Sequence, residues 1–574
     1  MKRTQQFRTL STPFESGTFE GWNIHPRPQF KRDSWLSLCG TWRLSVLSGE
    51  HESDIGPIRV PFVPESRLSG IERTLETDEC WVYRRRFALP TDFNRGRILL
   101  HFGAVDAQAK VLVNGANAGS HVGGYLPFTL DITQLVHPGD NDLCVIVADT
   151  LDPDIPYGKQ RRRRGGMWYT PFSGIWQPVW LESVPQEYIH TLRITPTLDA
   201  VTFETAGGTS DKCITIHTDT GDLVHRYTGN RVTLPIPSPR HWTPEDPYLY
   251  RFELTCGEDR IESYFALRTI GITRVRGQAY LALNGKPYFF HGLLDQGYFS
   301  DGICLPASPE GYRRDVLTMK ELGFNMLRKH IKVEPELFYY YCDLYGMLVF
   351  QDMVNSGPYS FLLDTALPTV GLKRGISHAA SPRRRSLFEE GAADTVQFLY
   401  NHPCVCYYTI FNEGWGQYDA DDVYERLKAL DTGRIWDTTS GWFTEEKSDV
   451  RSEHIYFRPL KFKLDFMRPL VLSEFGGYVC KIPDHSFNPD KTYGYRICST
   501  QEDFARDMAK LYREELIPAL RQGLCASVLT QLSDVEDETN GLFTYDRQVV
   551  KVSRDFMAGL SAELFAAFER QVNR

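Results

Sequence analysis

The pattern of apolar and polar positions divides the chain into two β-rich regions and one mixed region. About the first 180 residues carry short apolar runs separated by Asn-Gly, Gly-Gly and Pro-Gly turns, a spacing that predicts a β-sandwich or jelly roll. A second β-rich stretch, from residue 184 to about residue 274, has a length that suits a seven-stranded immunoglobulin-like sandwich. The strands predicted most clearly span residues 81–87, 97–102, 109–113, 142–148 and 213–218.

From about residue 280 the pattern alternates between strand-like and helix-like segments. The predicted strands span residues 287–293, 325–331, 347–353, 405–411, 434–440, 454–457, 469–473 and 524–532, and the predicted helices span 309–322, 334–345, 385–400, 499–522 and 552–571. Eight βα repeats over about 290 residues have the size of a TIM barrel. We therefore predict a jelly-roll domain (1–183), an immunoglobulin-like domain (184–275) and a (β/α)8 TIM barrel (276–574).

Two glutamates directly follow apolar runs that we interpret as barrel strands. Residues 405–411 lead through Asn412 into Glu413 and Gly414, and residues 469–473 lead into Glu474. A TIM barrel carries its chemistry at the carboxyl ends of its strands, so both side chains are expected to face one cleft. Each glutamate by itself is as readily explained by a turn or an ion pair, and it is the pair that favours a catalytic role.

A pair of carboxyl groups in one cleft is what hydrolysis of a glycosidic bond requires. One group protonates the leaving oxygen, while the other is ionised and either attacks the sugar or activates water. Their environments must push the two pKa values apart. The distance between the groups, which separates retaining from inverting enzymes, does not follow from the sequence.

Composition and charge exclude several other classes of function. The formal net charge of the 574 residues is −9, which gives no support for nucleic-acid binding. No stretch supplies the ~20 apolar residues of a membrane span. Residues 1–11 lack the apolar segment of a signal peptide, and the 12 cysteines are scattered without zinc-ligand spacing, so a cytoplasmic enzyme with reduced thiols is expected. No HExxH, phosphate-binding or dinucleotide-binding motif is present, and we predict neither a metal nor a cofactor.

Several ordered motifs resemble those of glycoside hydrolase family 2, the β-galactosidase, β-glucuronidase and β-mannosidase group. The resemblance covers nearly the whole chain. The segments that carry it are Asn114-Gly115 through Pro127-Phe128, Ser173-Gly174-Ile175-Trp176, the run 265–272 (FALRTIGI), Leu283-Asn284-Gly285-Lys286-Pro287, Gly323-Phe324-Asn325-Met326-Leu327-Arg328, and His402-Pro403 through Asn412-Glu413.

The resemblance implies a role for particular residues. Glu413 would be the general acid/base and Glu474 the nucleophile of a retaining exo-β-glycosidase. Asn412 would bind the sugar 2-hydroxyl, Arg328 would keep Glu474 ionised, and Tyr456 would donate a hydrogen bond to Glu474. The other predicted substrate-binding residues are His330, His454, Trp415, Trp168 and Asp534.

Departures from the family pattern leave the sugar open. Trp168 stands where galactosidases and glucuronidases of the family have an Asp, and Thr530 stands where a Trp is common. Residues 538–542 (ETNGL) lack the lysine with which glucuronidases bind the sugar carboxylate. These differences weaken the glucuronidase interpretation. A β-galactosidase-like enzyme is the first expectation, with a uronidase, arabinosidase or mannosidase of the same family, or a carbohydrate-binding protein with a degenerate barrel, as alternatives.

Four consecutive arginines, Arg161 to Arg164, raise the possibility of an acidic sugar. A loop with these side chains over the cleft would bind a carboxylate. A solvated loop or an interface clamp is the interpretation we favour, and the same applies to Lys491 and Arg496. The expected partner of the protein is a carbohydrate, and homo-oligomers are common in the family.

Overall fold

The computed structural model describes residues 7–14, 19–463 and 465–573. Part of the amino-terminal segment from which we predicted the absence of a signal peptide, residues 1–6, lies outside the described residues. None of the described helices is long and apolar enough to cross a membrane. The 12 cysteines form no disulfide with one another.

The first domain is a sandwich of antiparallel strands. A six-stranded and a four-stranded sheet share one core, to which Trp42 and Trp81 contribute from one sheet and Leu100 and Leu181 from the other. The strands span Trp35–Ser37, Gly40–Ser48, His51–Val60, Glu79–Leu89, Arg97–Phe102, Val105–Asp106, Gln108–Val113, Ala116–Val122, Phe128–Asp131, Gly139–Ala148, Gly174–Ile175 and Val179–Val184, and two short 3-10 helices span Phe19–Trp22 and Arg67–Ser69.

The second domain has seven strands in two antiparallel sheets, as the pattern of the sequence predicts. Phe203, Phe252 and Phe265 pack between the sheets. The strands span Ile189–Pro196, Ala200–Gly207, Lys212–Thr218, Gly221–Tyr227, Arg231–Pro235, Tyr250–Cys256 and Asp259–Phe265. A small sheet of Ile270–Val275, Gln278–Leu283 and Lys286–Pro287 follows and leads into the third domain.

The third domain is a barrel of eight parallel strands. These are β1 (Phe290–Asp295), β2 (Met326–Lys329), β3 (Leu348–Asp352), β4 (Val405–Asn412), β5 (Ile435–Ser440), β6 (Arg451–Ile455), β7 (Leu470–Gly476) and β8 (Leu524–Thr530). Their hydrogen-bonded order is β5-β4-β3-β2-β1-β8-β7-β6. Strands β5 and β6 lie side by side at the seam. The fold is thus the predicted TIM barrel.

The helices around the barrel differ in part from the prediction. They are α1 (Glu310–Glu321), α2 (Glu336–Tyr345), α3 (Leu367–Thr369), α4 (Pro382–Leu399), α5 (Ala420–Lys428), α6 (Gln501–Lys510), α7 (Ile517–Ala519) and α8 (Arg554–Asn573), with π turns at Phe361–Ala366 and Leu511–Leu516, 3-10 turns at Pro483–His485 and Leu520–Gln522, and two short strands at Tyr478–Cys480 and Arg496–Cys498.

One expectation about these helices was wrong. The described residues form no helix between β5 and β6 or between β6 and β7, so the eight βα repeats are incomplete. The helix predicted at 499–522 is present as a continuous helical run over residues 501–522, which includes a π turn just before Pro518. Proline has no N–H to donate and its ring crowds the preceding turn, which favours a local change of helical winding there.

A loop of the first domain packs onto the carboxyl end of the barrel. Arg164 donates a hydrogen bond of 2.8 Å to Glu536, the backbone N–H of Thr170 donates one of 2.9 Å to the same carboxylate, and the Tyr169 hydroxyl donates to Glu538. Glu536 and Glu538 belong to the loop after β8. The first domain therefore forms part of the wall around the carboxyl end of the barrel.

Candidate active site

Glu413 and Glu474 lie together at the carboxyl end of the barrel. Glu474 lies near the end of β7, and Glu413 directly follows β4 with a left-handed φ of 52°. Gly414 continues the turn with a φ of 67°. One carboxylate oxygen of each glutamate and a ring nitrogen of His454 lie within 4.8 Å of one another. The predicted pair of carboxyl groups thus shares one cleft.

Arg328 on β2 connects the strands that surround the two glutamates. Its guanidinium donates to Asp352 on β3 (2.9 Å), Asn412 on β4 (2.8 Å), Ser440 on β5 (3.0 Å) and Glu474 on β7 (3.0 Å). Burial opposes its charge, but the carboxylates of Asp352 and Glu474 outweigh this effect and raise its pKa. A fixed cation therefore lies against Glu474.

The Asn412 side chain is held through its amide oxygen, which leaves its amide nitrogen free. Its Oδ1 accepts hydrogen bonds from Arg328 and from the Ser440 hydroxyl (2.9 Å). Its Nδ2 has no partner among the described residues. Because both bonds fix the oxygen, the amide N–H groups remain available to a ligand next to Glu413.

Glu413 receives two hydrogen bonds that favour its ionised form. His454 Nδ1 donates to its Oε1 at 2.9 Å, and the Trp442 indole N–H donates to the same oxygen. Burial raises the pKa of Glu413, but the contacts with His454 and Trp442 outweigh burial and lower the pKa to about 2. With these two donors in place Glu413 is a carboxylate near pH 7.

His454 lies between the two glutamates and is fixed by Arg328. Arg328 Nη1 lies 3.3 Å from His454 Nε2, and His454 Nδ1 also lies 3.5 Å from Glu474. A guanidinium group can only donate, so Nε2 is the acceptor and Nδ1 carries the proton. The imidazole thus presents an N–H group to both carboxylates.

Tyr456 completes the environment of Glu474. Its hydroxyl donates to Glu474 Oε2 at 2.5 Å and accepts from the Thr530 hydroxyl at 2.9 Å. The two oxygens of Glu474 therefore have different donors, Arg328 on one and Tyr456 on the other.

His330 on the turn after β2 lies on the far side of Asp352. Its Nδ1 lies 2.8 Å from Asp352 Oδ2, while Arg328 occupies the other oxygen of that carboxylate. Burial lowers the pKa of His330 to about 4, so the ring is neutral near pH 7. A neutral ring that donates from Nδ1 keeps Nε2 as an acceptor for a ligand.

Trp168 and Trp415 form an aromatic wall across the domain boundary. Their rings lie 5.2 Å apart at a steep angle, and Tyr359 lies 5.3 Å from Trp168. The Trp415 indole N–H donates to Gly357 O at 2.9 Å, which fixes the ring two residues after Glu413. Both predicted aromatic residues therefore lie beside the cleft.

The structure does not bring Asp534 into this group. Its carboxylate accepts hydrogen bonds from Lys551 Nζ (2.5 Å) and from the backbone N–H of Gly541 (2.9 Å), and the side chain is 1% exposed. Both bonds go to Oδ1, and the buried Oδ2 has no hydrogen-bond partner among the described residues. That Asp534 binds substrate stays a prediction.

Several residues at the cleft were missed by the sequence analysis. Trp442 lies in the loop after β5, Glu538 in the loop after β8, and Lys159 in the loop of the first domain. None follows a strand-then-carboxylate pattern. Only the motif around Glu538 gave a signal, since it occupies the segment in which glucuronidases have their carboxylate-binding lysine.

Two groups of described side chains have metal-ligand chemistry. One is Glu413, His454 and Glu474, and the other is Asp343, His402 and Cys404. In the second group Asp343 accepts hydrogen bonds from Tyr264, from His402 and from the backbone N–H of Cys404. Hydrogen bonds within the protein thus account for both groups.

Models of one family match all three domains. They are the "glycosyl hydrolase 2 galactose-binding domain-like" model at residues 58–172, the "glycosyl hydrolases family 2" model at 188–268, and the "glycosyl hydrolases family 2, TIM barrel domain" model at 273–471.

The curated relatives are named either β-glucuronidase or β-galactosidase. The chain is 25% identical over 478 residues to a β-glucuronidase of Canis lupus familiaris, which covers 72% of this chain and 70% of that protein. It is 26% identical over 425 residues to a β-galactosidase of Enterobacter cloacae, which covers 69% of this chain and 38% of that protein. It is 27% identical over 295 residues to a putative β-glucuronidase of Formosa agariphila, which covers 47% of this chain and 34% of that protein. The chain thus aligns with little more than a third of the length of the last two.

Solved structures share the fold over nearly the full length. A β-D-glucuronidase of Dictyoglomus thermophilum superposes with a TM-score of 0.74 at 19% identity, covering 93% of this chain and 98% of that one. A β-galacturonidase of Eisenbergiella tayi superposes with a TM-score of 0.69 at 20% identity, covering 94% and 98%. These likenesses show the fold, and the three matching domain models show that the chain belongs to glycoside hydrolase family 2.

Proposed function

We propose that this protein is a retaining exo-β-glycosidase that acts by double displacement. The observation that carries the proposal is the approach of Glu413 and Glu474, since one carboxylate oxygen of Glu413 lies within 4.8 Å of one of Glu474. Retaining enzymes have their two carboxyl groups about 5–5.5 Å apart, whereas inverting enzymes leave about 6.5–9.5 Å for a water molecule. The spacing supports retention.

In the proposed first step Glu474 attacks the anomeric carbon while Glu413 protonates the leaving oxygen. Arg328 and Tyr456 hold the two oxygens of Glu474, which orients the nucleophile. The free amide of Asn412 would bind the 2-hydroxyl, a contact that strengthens as charge develops on the sugar. In the second step Glu413 takes a proton from water, which then releases the sugar from Glu474.

The first step requires a proton on Glu413, whose contacts with His454 and Trp442 favour the ionised form. Trp442 and His454 both donate to one of its oxygens. We propose that the bound glycoside weakens the Trp442 contact, so that the carboxyl group takes up a proton as the substrate enters. Loss of a donor to the charged form raises a carboxyl pKa.

Replacing Trp442 by Phe should therefore shift the pH dependence of hydrolysis. Removal of the indole N–H raises the pKa of Glu413, and the protonated acid then persists to higher pH. We expect the alkaline limb of kcat/KM for an alkyl or phenyl glycoside to move upward by about one pH unit, the equivalent of one hydrogen bond to a charged group. A 2,4-dinitrophenyl glycoside, whose leaving group needs no proton, is the internal control. An alkaline limb that moves equally for both substrates, or for neither, would contradict this role of Trp442.

Among sugars, a terminal β-galactoside is the neutral candidate. Residues 538–542 lack the lysine of the glucuronidase motif, and relatives named β-galactosidase match this chain. Lys159 and Arg161, which have no carboxylate partner within 4.0 Å among the described residues, favour a second candidate, a β-uronide. A binding protein without activity is disfavoured because both carboxyl groups, Asn412 and Tyr456 are arranged together.

The proposal is tested by hydrolysis of a panel of para-nitrophenyl glycosides. The panel contains β-galactoside, β-glucuronide, β-galacturonide, β-glucoside, β-mannoside, β-fucoside and α-L-arabinopyranoside. Proton NMR of the best β-D-substrate during the first minutes should show the β-anomer of the free sugar before mutarotation. Initial appearance of the α-anomer would refute retention. Binding of sugars without any turnover would refute the proposal that the protein is an enzyme.

A further inference from the structure

Two cations of the first domain point towards the mouth of the barrel. The backbone of Tyr169 donates to Lys159 O at 3.0 Å and accepts from Arg161 N–H at 3.1 Å, so residues 159–161 form a short extended segment. Successive side chains of an extended segment lie on opposite sides. Gln160 is buried in the first domain, where its side chain bonds Asp106 (2.8 Å). Lys159 and Arg161 therefore lie on the other side, towards the barrel.

Both side chains lie against the aromatic residues of the cleft. Lys159 Nζ is 5.9 Å from the centre of the Tyr169 ring, whose hydroxyl donates to Glu538. The Arg161 guanidinium lies 3.6 Å above the Trp168 ring and 5.6 Å from Tyr359. Trp168 in turn contacts Trp415, two residues after Glu413.

Neither cation has a carboxylate partner within 4.0 Å among residues 7–14, 19–463 and 465–573. Other arginines of the same loop do have protein partners, since Arg164 pairs with Glu536 and Arg162 donates to Leu75 O at 3.0 Å. Arg161 and Lys159 are both half-buried. A partly desolvated cation without a counter-ion is a natural binding site for an anion.

The charge of Lys159 acts on groups from two barrel strands. Burial lowers the pKa of His330, and Lys159 lowers it further. Burial raises the pKa of Glu413, and Lys159 is among the groups that oppose this rise. His330 follows β2 and Glu413 follows β4, so the ammonium group acts on the space between them, where the sugar of the proposed reaction would bind.

We propose that Lys159, assisted by Arg161, binds the carboxylate of a terminal uronic acid residue and selects β-uronides over the corresponding neutral glycosides. This rests on the proposed glycosidase function. The two residues would do from the first domain what a lysine after β8 does in the glucuronidase motif that residues 538–542 lack. Arg161 is the one member of the four-arginine run that takes this role, while Arg164 is the clamp that the sequence analysis favoured for the run.

A simpler role for Lys159 is to compensate Glu538 in the loop after β8, because burial raises the pKa of Glu538 and the Lys159 charge opposes that rise. Glu538 already accepts hydrogen bonds from Tyr169 and from Gln531 (3.3 Å), and it forms no ion pair with Lys159. Compensation alone would make Lys159 equally important for neutral and acidic sugars. The two roles therefore differ in substrate preference.

The test compares glycosides that differ only at C6. The wild-type enzyme should hydrolyse para-nitrophenyl β-D-galacturonide or β-D-glucuronide with a kcat/KM at least about 10²-fold above the matched galactoside or glucoside. In Lys159→Met, whose side chain keeps its length over Tyr169, this preference should fall by about 10- to 100-fold, the effect of one charge-assisted contact, mainly through KM. Because loss of the Lys159 charge also alters the pKa of Glu413 for both substrates, the two kcat/KM values are compared at each enzyme's own pH optimum, and their ratio reports the contact with the carboxylate. Arg161→Met should act in the same direction with a smaller effect.

Arg163→Met is the matched control, because Arg163 is exposed in the same loop and carries the same charge. It should leave the preference unchanged. Equal losses on acidic and neutral sugars in Lys159→Met, or a wild-type preference for the neutral member, would overturn the proposal.

A binding measurement separates this proposal from the proposed reaction. Calorimetry with Glu474→Gln should detect sodium D-galacturonate or D-glucuronate more tightly than D-galactose or D-glucose, and addition of Lys159→Met should weaken uronate binding at least tenfold. If uronate binding depends on Lys159 but the wild-type protein hydrolyses no glycoside, only the proposed glycosidase function is refuted. Turnover of neutral glycosides without uronate binding would refute only the inference about Lys159.

Discussion

Glu474→Ala is expected to reduce hydrolysis of every β-glycoside substrate on the order of 10⁴-fold or more, because it removes the atom that forms the covalent intermediate. Glu474 lies at the centre of the site, with Arg328 on one oxygen and Tyr456 on the other. The loss should appear in kcat and should be equally large for substrates with good and poor leaving groups.

The control for folding is Glu474→Gln, which preserves shape and the ability to accept from Arg328 but is not a nucleophile. Glu453→Gln is a matched substitution on the adjacent strand β6, where the carboxylate pairs with Arg451 at 2.9 Å outside the cleft. It should retain activity. Substantial turnover by purified, folded Glu474→Ala would exclude Glu474 as the nucleophile.

The sequence predicted the parts of the site that strands deliver. Glu413 and Glu474 follow apolar runs, and parallel strands of a barrel end at the same rim. Arg328 was found through its motif. From β2 its side chain reaches residues of four other barrel strands. Such residues are predictable because side chains alternate between the two faces of a strand, and because the chain direction shows which residues lie at its carboxyl end.

The residues that loops deliver were not predictable in the same way. Trp442 follows β5, where the described residues form no helix before β6, and nothing in the pattern indicates that its indole reaches Glu413. Lys159 comes from another domain, more than 250 residues before Glu413, and its direction depends on pairing with Tyr169. Asp534 is a different case, because its sequence position is close to the rim while one of its carboxylate oxygens is bound by Lys551 within the protein.

Glu413→Ala is expected to have an effect that depends on the leaving group. A phenyl or alkyl glycoside needs protonation in the first step, so its kcat/KM should fall about 10²- to 10⁴-fold, the usual contribution of general acid catalysis. A 2,4-dinitrophenyl glycoside should keep most of its kcat/KM, because its leaving group departs unprotonated. Its kcat should still fall, because the second step has lost the base that activates water, and the glycosyl-enzyme should accumulate as a burst.

Azide should restore turnover of the dinitrophenyl glycoside by Glu413→Ala, since the anion fits the space of the lost carboxylate and needs no base. The product distinguishes the two glutamates. In Glu413→Ala, attack by Glu474 and then by azide inverts the anomeric carbon twice and gives a β-glycosyl azide. In Glu474→Ala, azide can attack only once, from the side opposite the leaving group, and any product is the α-glycosyl azide. An α-azide from Glu413→Ala would exchange the roles of the two residues, because the carbon would have been attacked once only and the residue removed would have been the nucleophile.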